Sequence, residues 1–385
     1  MPHDPVSRRQ FLHNVAAGSA GAAALVSTPA AAGSTFPAAG STPAGGPEPP
    51  LPSTMESYPI AAPGKGPMVD RLKIVSTEAL IDPYAERVHS LSSGLELKTG
   101  LSDDAFHGEL ADAHVIFGGF SREDFAAAKQ LRWIQWGAAG VEGIMWPELV
   151  ESPVVLTNMQ RIYAPVISET AIALMLALAR GIPRYAMQTA QHQWQTLDGL
   201  NEISGMTLGL VGLGGIGTET ARRARFGFGM TVLAVDPKPL PRPDFVAELH
   251  SLDWLTEMAS RADILMSATP HTPLSEGMLN ESVFRAMKKD AYFVNVSRGK
   301  VVNTPDLVRA LKEGRIAGAG LDVAYKEPLP PDDELWTAPN IIITCHTSGW
   351  SPKVLARRQE LFAENVRRYM TGLPLLNVVD KRRGY

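Results

Sequence analysis

Three glycines in GLVGLGGIGTETA (Gly209–Ala221) are spaced as G-x-G-x-x-G: Gly212, Gly214 and Gly217. Their chemistry comes from the side chains they lack. Such glycines allow a tight turn and a close approach of backbone N–H groups to a ligand, and a helix opening here would turn its positive end toward bound phosphate. Gly215 and Ile216 fall inside the same candidate cradle. Asp236, nineteen residues beyond Gly217, ends the next apolar run, TVLAVD. An acid at that point accepts hydrogen bonds from a ribose diol and repels a 2′-phosphate. The combination predicts a dinucleotide site that takes NAD in preference to NADP, although Lys238 and Arg242 follow closely.

A cradle of this type needs a strand before it and a helix after it, and the chain alternates accordingly. LKIVS, LELKT, AHVIFGG, RWIQWG and VVLTN read as strands between 72 and 158, with helical PYAERVHSL and REDFAAAKQL among them. A second series opens near residue 167 with a long apolar helix and continues through TLGLVG, TVLAVD, DILMSA, AYFVNV, GAGLDV and NIIITC. In NTPDLVRALKEG, Thr304 suits the helix N-cap, Pro305 the first turn and Gly314 the stop. A last helix is expected over about 352–370. Short β-rich runs alternating with helices predict an α/β fold of two Rossmann-like/flavodoxin-like, doubly wound parallel-sheet domains. The nucleotide domain (167–348) would be inserted into a split substrate domain (69–166 and 349–385).

Composition narrows the function classes. The 385 residues are 45% hydrophobic and 20% charged, and the net charge of −4 provides no basic footprint for nucleic acid or an anionic membrane. A single cysteine, Cys345, rules out an intrachain disulfide and CxxC motifs, and no His/Asp cluster suggests a metal. The longest uncharged apolar run of the body, AIALMLALA, is far short of the roughly 20 residues that span a bilayer, so it reads as a buried helix. Residues 1–32 read as a twin-arginine signal peptide: Arg8 and Arg9 in SRRQFL, then a small apolar run, then Ala30-x-Ala32 before Gly33. That predicts an exported, periplasmic protein served by the twin-arginine machinery; the alternative is a cytoplasmic protein with an incidental arginine pair. Residues 33–68, rich in Pro, Gly and Ala, read as a disordered tether.

Four further motifs occur in order. They are ATPHTPLSEGMLN (268–280), FVNVSRG (293–299), GAGLDVAYKEPLP (318–330) and PNIIITCHTSG (339–349). With the glycine motif they make residues 70–385 similar to the D-isomer-specific 2-hydroxyacid dehydrogenase family, the group of glyoxylate/hydroxypyruvate reductases and phosphoglycerate dehydrogenases. The resemblance implies hydride exchange between a nicotinamide cofactor and a small 2-hydroxy/2-oxo acid, in a homodimer. It implies His346 as the acid–base, Glu327 as the carboxylate that orients the ring, and Arg298 as the group on the substrate. Thr269, Pro270, Val296 and Ser297 would line the cofactor, and Asp322 would meet the nicotinamide carboxamide. WGAAGVEG (136–143) resembles the loop whose N–H groups hold the substrate carboxylate, here through Ala139 and Gly140.

These roles make chemical sense. Oxidising a 2-hydroxy acid requires a base for the hydroxyl proton, and histidine titrates in the right range. An arginine fork matches a carboxylate and polarises a neighbouring carbonyl. The chain departs from the family in two places. Cys345 stands where proline usually precedes the histidine, and reads as a small buried residue. Trp350 is bulkier than usual, which favours a small substrate such as glyoxylate, hydroxypyruvate or pyruvate, unless its ring stacks on a larger one. Formate dehydrogenases of this fold carry an amide where Glu327 stands, so the acid argues against that branch. A reading of another class is an exported, cofactor-loaded binding or sensing protein with little turnover.

Overall fold

A computed structural model describes residues 71–385. The segments read as signal peptide and tether lie outside these residues.

The first half forms β1 (Leu72–Val75), α1 (Tyr84–His89), β2 (Leu95–Lys98), α2 (Asp103–Gly108), β3 (Val115–Gly118), α3 (Arg122–Ala127), β4 (Trp133–Trp136), α4 (Pro147–Glu151) and β5 (Val155–Thr157). All its pairings are parallel, in the order β2-β1-β3-β4-β5. β1 and β3 are buried along their whole length; β3 is accordingly a run of Val, Ile, Phe and Gly, while β1 carries one buried charge, Lys73, whose ammonium is paired with Glu109 and Asp112. Ser121 and Asp124 form a reciprocal capping box that starts α3.

The second half begins with α5 (Ala164–Ala179) and α6 (Ile182–Ala190). Then follow β6 (Thr207–Val211), α7 (Gly215–Phe228), β7 (Thr231–Val235), β8 (Glu248–His250), α8 (Leu255–Arg261), β9 (Ile264–Ser267), α9 (Glu281–Ala286), β10 (Tyr292–Asn295), α10 (Thr304–Lys312), β11 (Gly318–Leu321), β12 (Ile341–Ile343) and α11 (Pro352–Thr371). Seven parallel strands run in the order β12-β11-β10-β9-β6-β7-β8. Strand order reverses between β6 and β9, and ligands of open α/β sheets bind in the crevice beyond such a point.

The chain then returns to the first sheet. Leu361, Phe362, Ala363 and Val366 of α11 are buried in the core of that sheet. Phe362 stacks on Phe117 with ring centroids 4.0 Å apart, and Asn365 Nδ2 donates to buried Gln135 Oε1 at 2.9 Å. Truncating a side chain placed like Phe362 costs about 3–5 kcal/mol.

Local expectations need three corrections. Asn303, not Thr304, caps α10, because its side chain accepts the Asp306 N–H while Thr304 is already helical. The long apolar helix starts at Ala164, one turn earlier than its apolar run suggested. β8 is an additional edge strand whose half-polar ELH sequence carries no strand pattern. No described helix is long and apolar enough to cross a membrane; α5 joined to α6 passes by composition only, with a 71° bend.

Candidate active site

The glycine motif sits at the β6–α7 turn. Gly212 has φ +96, and a Cβ there would stand 2.9 Å from the Ala268 carbonyl oxygen and 3.2 Å from Thr269 Oγ1. A Cβ on Gly217 would overlap the Gly212 carbonyl, whereas one on Gly214 would meet nothing within 4 Å. The turn is therefore tight underneath and open above, as a pyrophosphate cradle requires. Gly215 and Ile216 form the first helical turn of α7, and Gly214 is exposed. Thr269 is buried and its hydroxyl donates to the Val211 carbonyl at 2.8 Å; Pro270 beside it is exposed. Asp236 follows β7, and its two carboxylate oxygens accept the N–H groups of Leu213 (2.8 Å) and Lys238 (2.9 Å). It thereby ties the cradle to the next strand end. Burial pushes the Lys238 ammonium below its ordinary value, against the pull of Asp236, and that ammonium lies 4.1 Å over the Tyr385 ring. These residues fit a dinucleotide.

The candidate acid–base residues gather at the ends of β10, β11 and β12. His346 Nδ1 is 2.7 Å from Glu327 Oε2, and Ala324 N–H donates to the other carboxylate oxygen at 3.1 Å. Burial pushes the Glu327 carboxyl up. The hydrogen bond and charge of His346, the Ala324 N–H and the Arg298 charge outweigh burial and hold it below the ordinary carboxylate value. His346 has a left-handed backbone, φ +55, held by its N–H donating to the Asp322 carbonyl at 2.7 Å. Asp322 itself is 1% exposed. Its carboxylate accepts the Thr344 hydroxyl (2.5 Å) and the N–H groups of Thr347 and Ser348 (3.2 Å each). In this geometry Asp322 organises the turn that presents His346.

Arg298 extends from the end of β10 toward the first half. Its Nε donates to Glu142 Oε1 at 2.7 Å and its Nη1 to the Ser297 carbonyl at 2.8 Å. Nη2 occupies the space where a Gly140 Cβ would stand. The loop bearing Gly140 is anchored by its carbonyls. Ala138 O accepts from Met159 N–H (3.0 Å), Ala139 O from Asn158 Nδ2 (2.6 Å) and Gly140 O from Trp136 Nε1 (2.8 Å). Because N–H and C=O of a trans peptide point in opposite directions, the N–H groups of Ala139, Gly140 and Val141 face away from those anchors. Val296 and Ser297 are buried, with the Ser297 hydroxyl 2.8 Å from that of Ser267. Their side chains brace β10 against β9 and only their backbone is left for a ligand.

A family model described as D-isomer specific 2-hydroxyacid dehydrogenase, NAD binding domain, matches residues 172–348. A glyoxylate reductase of Korarchaeum cryptofilum is 36% identical over 268 residues, 67% of this chain and 79% of that protein. The chain belongs to the D-isomer specific 2-hydroxyacid dehydrogenase family. A D-3-phosphoglycerate dehydrogenase of Methanocaldococcus jannaschii is 30% identical over 80% of this chain, which spans only 59% of that longer relative. The solved D-isomer specific 2-hydroxyacid dehydrogenase of Xanthobacter autotrophicus, in complex with NADPH and MES, superposes with a TM-score of 0.69 at 26% identity, covering 82% of this chain and 99% of that one.

This dehydrogenase thus has an NAD(P)-binding domain beside a cluster of one histidine, one arginine and two carboxylates. Glu142 is the member that sequence reading missed; it lies two residues beyond Gly140, but nothing local says that it meets Arg298. The other correction concerns Cys345, which is exposed rather than buried. Between Thr344, tied to Asp322, and His346, with its left-handed backbone, its side chain is turned outward. Trp350 is also half exposed, at 51%.

Proposed function

We propose that this enzyme reduces a small 2-oxo acid to the 2-hydroxy acid with NADH, using His346 as the acid and Glu327 and Arg298 as its partners. The observation that carries the reading is the 2.7 Å contact of His346 Nδ1 with Glu327 Oε2, next to Arg298. Ionised Glu327 accepts Nδ1–H, which fixes the ring so that Nε2 exchanges a proton with the substrate. Bound nicotinamide would supply the hydride. In reduction His346 delivers the Nε2 proton to the carbonyl oxygen of the substrate, and in oxidation it takes the hydroxyl proton back. Arg298 pairs with the substrate carboxylate and stabilises negative charge on the adjacent oxygen, while the N–H groups of Ala139 and Gly140 hold the same carboxylate from the first half. The glyoxylate reductase relative supports a small substrate such as glyoxylate or hydroxypyruvate.

NADH is proposed over NADPH because a carboxylate at the end of β7, Asp236, would repel a 2′-phosphate and accept hydrogen bonds from a free ribose diol. The exposed apolar side chains Ile182, Met187, Trp194 and Phe226 support a homodimer, checked by sedimentation. The twin arginines Arg8 and Arg9 support export with nucleotide already bound; folded but nucleotide-free protein in the exported fraction would oppose this.

The test is the near-UV absorbance of full-length protein with a panel of 2-oxo acids and NADH, NADPH or no nucleotide. Consumption of NADH by one or two small oxo acids, abolished in His346→Ala, is the expected result. A His346→Ala protein that turns over normally would refute the assignment.

A further inference from the structure

Arg161 lies on the connection between the two halves, just after β5, and adopts a left-handed backbone with φ +70. An arginine gains nothing locally from that region, and such residues persist where the surroundings over-determine them. The turn is fixed from several sides. Gln160 N–H donates to Asn158 Oδ1 (3.2 Å), Asn377 Nδ2 to the Gln160 carbonyl (2.9 Å) and Ala164 N–H to the Arg161 carbonyl (3.0 Å). Ile162, next in sequence, is fully buried.

The side chain leads to the glycine cradle. A Cβ added to Gly215 would stand 2.8 Å from Arg161 Cγ, 3.1 Å from its Cα and 3.3 Å from its Cβ. Gly215 opens the fourteen-residue helix α7, and the space above neighbouring Gly214 is open. The stem of Arg161 therefore lies directly on the start of this helix, beside the glycine cradle. A guanidinium is the side chain best matched to phosphate oxygens.

We propose that Arg161 is a cofactor-binding residue that pairs with the pyrophosphate of the dinucleotide from the substrate half. Gly215 is glycine to admit it, and the left-handed turn aims it. The inference holds for NADH and NADPH alike and does not depend on which acid is reduced. It also means that nucleotide binding draws on the connection between the halves.

The test is calorimetric titration of the full-length protein and of Arg161→Gly with NADH, ADP and adenosine, beside a thermal melt without nucleotide. Glycine relieves the left-handed backbone, so Tm should stay level or rise. Affinity for NADH and ADP should fall together by about tenfold to a hundredfold, and adenosine, which has no phosphate, should bind unchanged. Arg161→Lys, keeping the charge without the fork, should fall between the two. Unchanged ADP affinity in Arg161→Gly would overturn the proposal. So would a lowered Tm with equal losses for ADP and adenosine, which would mark the side chain as packing only.

Discussion

The nucleotide cradle and the acid–base cluster are built from different materials. The cradle is mostly backbone: a turn of six residues, Gly212–Gly217, closed by Asp236 and Thr269 from neighbouring strand ends of one sheet. The cluster is mostly side chain, and its members come from four segments around Gly140, Arg298, Glu327 and His346, joined across both halves by the Arg298–Glu142 pair. A backbone site follows wherever strand, glycines and helix coincide. A side-chain site exists only when several long-range contacts are all in place, so damage to one should leave the other standing.

The sharpest break is His346→Ala. Removing a positioned acid–base group lowers kcat by about 10²–10⁴-fold, whereas the Kd for NADH should stay within about twofold because Asp236, not His346, closes the cradle. Loss of both would mean that the two sites are one cooperative unit. Gly140→Ala comes next. Its methyl must displace the Arg298 Nη2 group, so KM for the oxo acid should rise by roughly tenfold or more while nucleotide affinity holds.

Glu327→Gln probes the cluster through pH. The folded protein holds this carboxyl below its ordinary value. Its ionised form therefore contributes stability that is fully present above the unfolded pKa and is lost as pH falls through the folded one. In the wild type the Glu327 contribution disappears only on the acid side of about pH 4; in Glu327→Gln it is absent at every pH. The stability difference between the two proteins should be constant near neutrality and shrink on acidification. Its size is at most about 1 kcal/mol, because the pair is 40% exposed. Urea midpoints measured from pH 7 to pH 3 would show this, and a difference that grows on acidification would contradict it.

The smallest expected effect lies in the cradle itself. Asp236→Ser should shift the NADPH-to-NADH preference by about tenfold toward NADPH through loss of one like charge, leaving the pH profile of turnover unaltered. Steady-state kinetics with both nucleotides would measure it, and a change in the pH profile would show that the cradle reaches the acid–base group.

The same contrast explains what could be read in advance. The glycine turn, the place of Asp236 after β7 and Pro305–Gly314 were legible because short-range backbone geometry decides where they sit. The strands were legible because residues buried on both faces leave unbroken apolar runs such as YFV and LGLV. The edge strand β8 was not, since an ELH triplet has no such pattern. Asn303 took the cap from Thr304 because the helix began one residue earlier than expected. Cys345 could not be placed from its neighbours, because the direction of its side chain is set by Asp322, twenty-odd residues earlier, through Thr344 and the His346 N–H.

The sequence by itself determined the alternating α/β plan and the glycine turn between β6 and α7, because both follow from periodicity and glycine spacing. The tertiary structure alone decided that Glu142 takes the Nε of Arg298, that Asp322 braces the histidine turn, and that Arg161 rests on Gly215. Those pairs are separated by up to 156 residues. What brings them together is the burial of two sheets and a returning helix, and no local pattern of residues encodes that.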